Sequence, residues 1–330
     1  MTKPWTDTNV LVTGAAGFLG SHLAARLVSE GAHVVALLLD DPAESNFDIL
    51  GLRSRTTCVW ADVADRAALE RILAVYEIDC VFHLAAQAIV GVANRAPLSA
   101  FESNVRGTYV LLEACRHAPS VSRVVVASSD KAYGCQERLP YTEDSPLLAQ
   151  YPYDASKACA DILARCYHAT YGLPVAVTRC ANLYGGGDLN FSRIVPDTMR
   201  SVVAGKPPVI RSDGTPERDY LYIDDAVAAY VALARALPRE DVAGRAFNFG
   251  SGEPVSVLRL VEAIISVSGH PELQPQILGT SKHGEIDRQW LDSSEAERVL
   301  GWRADTPLSE GLATTFEWYA RFFHTRTNAH

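Results

Sequence analysis

Three glycines, Gly14, Gly17 and Gly20, stand directly behind the apolar run "NVLV" and at the head of the amphipathic stretch "FLGSHLAARLVSEG". A strand that turns into a helix through glycines at this spacing leaves backbone N–H groups bare at the turn. Glycine lets that backbone approach a ligand closely, and a helix N-terminus favours negative charge, so the turn suits a dinucleotide pyrophosphate. A glycine-rich turn alone is weak evidence, and its weight comes from its surroundings.

Those surroundings alternate. The runs "HVVALLL", "TTCVWADV", "CVFHLAA", "RVVVASS" and "PVAVTRCANLYG" are apolar and rich in β-branched residues. Between them lie "DRAALERILAVYE", "ESNVRGTYVLLEACRHA" and "YDASKACADILARCYHATYG", which carry apolar residues at helical spacing. Such alternation predicts βαβ units and a parallel sheet covered on both faces. After Gly185 the texture changes. "GGGDLNFSRIVP" reads as loop and "GKPPVIRSDGTPERDY" as turn-rich, followed by a helix near "DDAVAAYVALARAL", a strand near "AFNFGSG" and helices near "SVLRLVEAIISVSG" and "SSEAERVLG". The expected organisation is a nucleotide-binding domain over residues 1–180, to which the chain returns near 224–250. A smaller substrate-binding lobe takes most of 181–330.

Charge and cysteines narrow the function classes. A formal net charge of -9 gives no broad attraction to nucleic acid or an anionic membrane, so an anionic small substrate would need local arginines. The seven cysteines are odd in number and form no C-x-x-C pair or Cys/His cluster at metal-ligand spacing. With no basic-plus-apolar leader and no run of about 18–20 apolar residues, the expectation is a soluble cytoplasmic protein without a metal site.

The G-x-x-G-x-x-G spacing, "ADV" at 61–63, "HLAAQ" at 83–87 and Asn104 in "SNVRGT" together resemble the extended short-chain dehydrogenase/reductase superfamily. The resemblance implies an α/β fold: a Rossmann-type doubly wound parallel sheet with a smaller mixed α/β lobe. It implies NAD held by Gly14, Gly17, Phe18, Leu19, Gly20, Asp62, Val63, Leu84, Ala85, Ala86, Gln87 and Asn104. One departure concerns the acid that usually ends the second strand and bonds the adenosine ribose. Here the strand reads "VVALLLDDP", which offers Asp40, with Asp41 as the alternative, and the lack of a basic residue favours NAD over NADP.

"YDASK" places Tyr153 and Lys157 one turn apart on a helix face. The resemblance assigns Tyr153 as the base that takes a sugar hydroxyl proton, Lys157 as the holder of the nicotinamide ribose, and Ser129 as the third member. A neighbouring ammonium would lower the phenol's pKa. Behind Ser129 stand Asp130 and Lys131, in the stretch "ASSDKAYG". The superfamily's epimerases carry small or apolar residues there, whereas its 4,6-dehydratases carry two ionisable groups. An aspartate–lysine pair resembles the CDP-glucose 4,6-dehydratases, which oxidise the hexose at carbon 4, eliminate water across carbons 5 and 6, and return the hydride. Asp130 would be the acid and Lys131 the base, or the reverse; alternatively Lys131 is a solvated loop lysine.

For a nucleotide-diphosphate hexose, the resemblance offers Asn182 in "RCANLYG" beside Arg179, and Arg218 in "RDY". Arg211, Arg193, Arg288 and Glu285 are further candidates. Asp224 and Asp225 read as helix caps, His83 as a satisfied core histidine and Cys135 as a small buried residue. An epimerase or mutase using the same transient oxidation remains an alternative. A non-catalytic NAD-sensing module would be expected to lack the tyrosine or lysine, and both are present. The resemblance also implies a homodimer built on the helices of "ESNVRGTYVLLEACRHA" and "KACADILARCYHATYG".

Overall fold

The computed structural model describes residues 5–40, 44–280 and 286–327. Its strands in chain order are β1 Asn9–Thr13, β2 His33–Leu38, β3 Thr57–Trp60, β4 Cys80–His83, β5 Arg123–Ala127, β6 Val175–Cys180 and β7 Asn182–Tyr184. They continue with β8 Val209–Ile210, β9 Glu217–Tyr222, β10 Ala246–Phe249, β11 Pro254–Ser256, β12 Gln276–Ile277 and β13 Arg288–Gln289.

Seven strands form one sheet in the order β10-β6-β5-β4-β1-β2-β3, every neighbouring pair parallel. This is the doubly wound, Rossmann-type arrangement expected from the alternation. The order reverses between β1 and β4, and such a switch point opens a crevice at the strands' carboxyl ends. The strand side chains explain the apolar runs. Val10 and Val12 of β1 pack into one core with Ala36 and Phe82, while Leu11 packs into another with Val35 and Val81 on the opposite face. Both faces are dry, so the strands need apolar residues at every position.

The smaller lobe has its own core around Met199, Ile210, Leu260, Ile264 and Tyr319. Its central strand is β9, flanked by β11 and β13 and paired also with β7. Between lobes, helix Ile223–Ala236 packs its Ala226, Val227 and Tyr230 into the large sheet's core, and β10 joins that sheet beside β6.

Several elements depart from the sequence expectations. Helix Ile194–Val203 begins inside the stretch read as loop, and six-residue β9 begins inside the turn-rich segment and runs past its end. The twenty-residue helix Leu308–Thr327 was not anticipated. The stretch "ESNVRGTYVLLEACRHA", expected as one long helix, opens with a π-helical turn Glu102–Arg106 before helix Gly107–Arg116, and a short helix Pro97–Phe101 precedes it. Asp224 and Asp225 do not cap: the N-cap is Tyr222, without a side-chain bond. Asp225 instead accepts from the backbone N–H groups of Asp305 and Thr306. Cys135 is exposed, not buried.

Candidate active site

The glycine turn sits at the switch point. Gly14 follows β1 with a φ of 68°, and a Cβ there would lie 2.8 Å from the Ala85 nitrogen, beyond the end of β4. A Cβ on Gly20 would lie 2.2 Å from the Gly14 carbonyl oxygen. These two glycines let the turn close against its own helix and against the 84–85 backbone. Gly17 is the N-cap of helix Phe18–Ser29, which has neither a side-chain cap nor an acid in its first turn. An uncapped helix start without a carboxylate, at a sheet's switch point, fits a dinucleotide pyrophosphate. Phe18 and Leu19 lie in that first turn, half-buried.

The remaining nucleotide candidates ring the same edge. Leu84 and Ala85 donate their N–H groups to the Thr13 hydroxyl, 3.1 Å each. Asn104 lies in the π-helical turn, where its Oδ1 accepts from the Gln87 N–H at 2.7 Å and its Nδ2 donates to the Ser156 hydroxyl at 2.8 Å. Its amide therefore ties the loop after β4, which includes Ala86, to the helix of Tyr153. Val63 is buried against Gly107, and Asp62 is exposed, accepting from the Ala64 N–H. Asp40 is exposed just beyond β2, while its alternative Asp41 lies outside the described residues. His83 bridges the Thr13 and Thr108 hydroxyls, and burial with the nearby Lys157 charge pushes its pKa down to about 3.

Helix Pro152–Tyr171 carries Tyr153 and Lys157, its start favoured by proline in the first turn. Lys157 is buried and donates from Nζ to the Ala127 carbonyl at 2.8 Å, and burial lowers its pKa to about 8. That geometry changes one expectation. In the protein alone, burial drives the Tyr153 phenol up to about 12; the Arg193 charge and a hydrogen bond with Ser129 pull it down. The downward pull expected from Lys157 is supplied by Arg193 and Ser129.

The loop after β5 is held from several directions. Ser129 caps the 3-10 turn Asp130–Tyr133, accepting from the Lys131 N–H at 3.2 Å, and its hydroxyl donates to Asp130 Oδ1 at 3.0 Å. Asp130 is 2% exposed, and its Oδ2 has no hydrogen-bond partner. Burial raises its pKa, more than Lys131, Ser129 and Arg218 lower it. Lys131 donates from Nζ to Gln289 Oε1 at 2.8 Å. Asp154 escaped the sequence reading. It is buried beside Tyr153, and burial lifts its pKa to about 6 against the pull of Lys131.

The candidate substrate residues separate. Arg218 is buried in β9, where its Nη1 donates to the carbonyls of Glu217 and Asp287 and its charge reaches Asp130. Asn182 donates to the Asp219 carbonyl at 3.1 Å. Arg193 pairs with Asp188 at 3.1 Å, and its charge reaches Tyr153. Arg211 is half-exposed and lies 3.6 Å from Asp197, while Arg288 pairs with Glu217 at 2.8 Å. Glu285 lies outside the described residues. Arg179 is no ligand candidate: it is buried, bonded to both oxygens of Asp161 at 2.7 and 3.1 Å and to the Tyr133 hydroxyl. It ties β6 to the helix of Tyr153. Among the described residues there is no metal-binding cluster and no helix long and apolar enough to cross a membrane.

A family model described as the NAD dependent epimerase/dehydratase family matches residues 10–250, and the chain belongs to that family. A dTDP-glucose 4,6-dehydratase of Streptomyces griseus is 35% identical over 94% of this chain and 94% of its own. A UDP-glucose 4-epimerase of Mycolicibacterium smegmatis is 34% identical over 94% and 97%. A solved dTDP-glucose 4,6-dehydratase of Streptomyces venezuelae with NAD bound superposes with a TM-score of 0.85 at 30% identity, covering 95% of this chain and 97% of its own. The cofactor is NAD, and the glycine turn fits it.

Asp154 gives a pH dependence of stability. Its folded pKa, about 6, lies above the ordinary 3.8, so the folded chain binds that proton more tightly than the unfolded one. This contribution favours folding below about pH 4 and is lost as pH rises through about 6. Asp154→Asn should therefore gain stability relative to the native protein, by up to about 3 kcal/mol at pH 7, and nothing at low pH. Urea midpoints measured across that range check it; a gap that is constant with pH contradicts it.

Proposed function

We propose that this protein is an NAD-dependent 4,6-dehydratase of a nucleotide-linked hexose, with CDP-glucose as its substrate. The observation that carries the reading is the buried Asp130 carboxyl, one oxygen unpartnered, beside Ser129 and Lys131. A carboxyl in that position is favoured in its neutral, proton-donating form. Such a group has a task in elimination and none in simple hydride exchange.

Bound NAD would accept the hydride from carbon 4 and return it to carbon 6, so it is regenerated within each turnover. The residues handle the protons. Tyr153 takes the carbon 4 hydroxyl proton as that carbon becomes a ketone. The ketone acidifies the carbon 5 proton, which the Lys131 amine removes while Asp130 protonates the departing carbon 6 hydroxyl. Lys131 then returns a proton to carbon 5. One proton is left on Tyr153 and one is missing from Asp130, and Ser129, hydrogen-bonded to Asp130 and near enough to Tyr153 to lower its pKa, offers the path between them. Arg218, with Asn182, Arg193 and Arg211, would hold the diphosphate, since guanidinium groups suit phosphate oxygens. A nucleotide-sugar epimerase is the second reading, favoured by the resemblance to the mycobacterial enzyme.

The test is incubation with CDP-, dTDP-, GDP- and UDP-hexoses followed by mass spectrometry. The expected product is a CDP-4-keto-6-deoxy sugar, lighter by one water; an isomer of unchanged mass contradicts the dehydratase reading. Lys131→Ala should leave bound NAD reducible by the sugar while slowing elimination by about 100- to 10,000-fold. Elimination at the native rate would remove Lys131 from the mechanism.

The same proposal includes a homodimer. Tyr109 and Ile162 are large apolar side chains exposed on the helices expected to pair, and Leu98 and Phe101 are exposed on the short helix just before the first of them. Light scattering should return twice the chain mass; a monomer contradicts the pairing.

A further inference from the structure

Gln289 belongs to the second lobe, yet its side chain is fully buried against the loop after β5. Its two amide atoms are both used there. Nε2 donates to the Asp130 carbonyl oxygen at 2.8 Å, and Oε1 accepts from Lys131 Nζ at 2.8 Å. The first bond fixes which way the amide faces, so the second presents an oxygen, not an NH2 group, to the lysine. A primary amide can satisfy both partners in one orientation only.

The strand that carries Gln289 adds a second connection. β13 pairs in parallel with β9 and places Gln289 in register with Arg218. Arg218 is tied to the same segment through its bond to the Asp287 carbonyl at 3.1 Å. One short strand thus joins the arginine expected at the diphosphate to the lysine expected at carbon 5.

We infer that Gln289 is a positioning residue for the elimination step, aiming the Lys131 amine from the second lobe and linking it to the Arg218 strand. The inference rests on the dehydratase reading. Lys131 ends a flexible four-carbon stem, and a proton transfer loses about 100-fold when the reacting groups are misplaced by roughly 1 Å. The bond to Gln289 Oε1 removes that freedom. It does so with a neutral acceptor, which itself adds no charge favouring the ammonium form; a carboxylate there would add one. The charged groups facing Lys131 include Asp130 from its own loop and Asp154 from helix Pro152–Tyr171. Tyr153 and Lys157 make no bond to Gln289, so the oxidation at carbon 4 is separable from it.

The experiment compares native protein, Gln289→Leu and Gln289→Glu with CDP-glucose. Sugar-dependent reduction of bound NAD is followed by absorbance, and elimination by product mass. For Gln289→Leu, elimination should fall about 10- to 100-fold while NAD reduction and KM stay within about twofold of native. Elimination at the native rate overturns the inference, as does an equal loss of both steps, which marks a merely structural residue. Gln289→Glu keeps the size and the acceptor, and so remains informative if the leucine variant does not fold. Its elimination should require a pH higher by about one unit or more, because the carboxylate stabilises the ammonium; an unshifted profile overturns the inference. If native protein reduces NAD yet yields no 4-keto-6-deoxy sugar, the dehydratase reading itself fails.

Discussion

A carboxyl group buried with one oxygen unpartnered costs roughly 1–3 kcal/mol if it has no compensating bond, so it persists only where its surroundings hold it. Asp130 is in that position, and bonds from several elements hold its loop there. β5 delivers the chain to the crevice, and Ser129 closes the turn. Tyr133 anchors the turn's far end, bonding Asn248 of β10 at 2.7 Å and Arg179 of β6 at 2.7 Å. Gln289 closes it from the other lobe. The protonated form that burial favours is the form that can release a hydroxyl as water.

Around that group the two lobes divide the chemistry. The large sheet brings together the glycine turn, the loop after β4 and the Tyr153–Lys157 helix, the set to which the proposed function assigns hydride exchange at a sugar alcohol. The smaller lobe contributes β9 and β13, hence Arg218 and Gln289, both reaching the loop of Asp130 and Lys131. Asp219, fully buried between them in sequence, accepts from Ser251, Gly252 and Leu291. It fastens β9 to the turn after β10, and so to the large sheet. On the proposed function, oxidation is built by one lobe and elimination sits where the two meet.

This division also explains what the sequence disclosed. The parallel sheet was legible because strands buried on both faces read as unbroken apolar runs, and the glycine turn because no other residue fits against the Ala85 backbone. The Tyr153–Lys157 pair is local, one helical turn, and needs no tertiary knowledge. Gln289 was invisible because it meets Lys131 across 158 residues of chain through a two-residue strand with no periodic signal. The role of Arg179 was not legible because an arginine beside substrate candidates looks the same in sequence whether it binds a phosphate or, as here, a buried Asp161. Asp154 hid inside the motif that drew attention to its neighbours. β9 was obscured by the charged residues Glu217, Arg218 and Asp219, which are engaged by partners in the second lobe and are not signs of a turn.

The account turns on whether hydrogen leaving carbon 4 arrives at carbon 6 of the same sugar. CDP-glucose carrying deuterium at carbon 4, turned over by this protein in ordinary water, measures that directly by NMR of the product. The account predicts deuterium in the carbon 6 methyl group and a solvent hydrogen at carbon 5. Deuterium found back on carbon 4, with the carbon 6 hydroxyl retained, would contradict it.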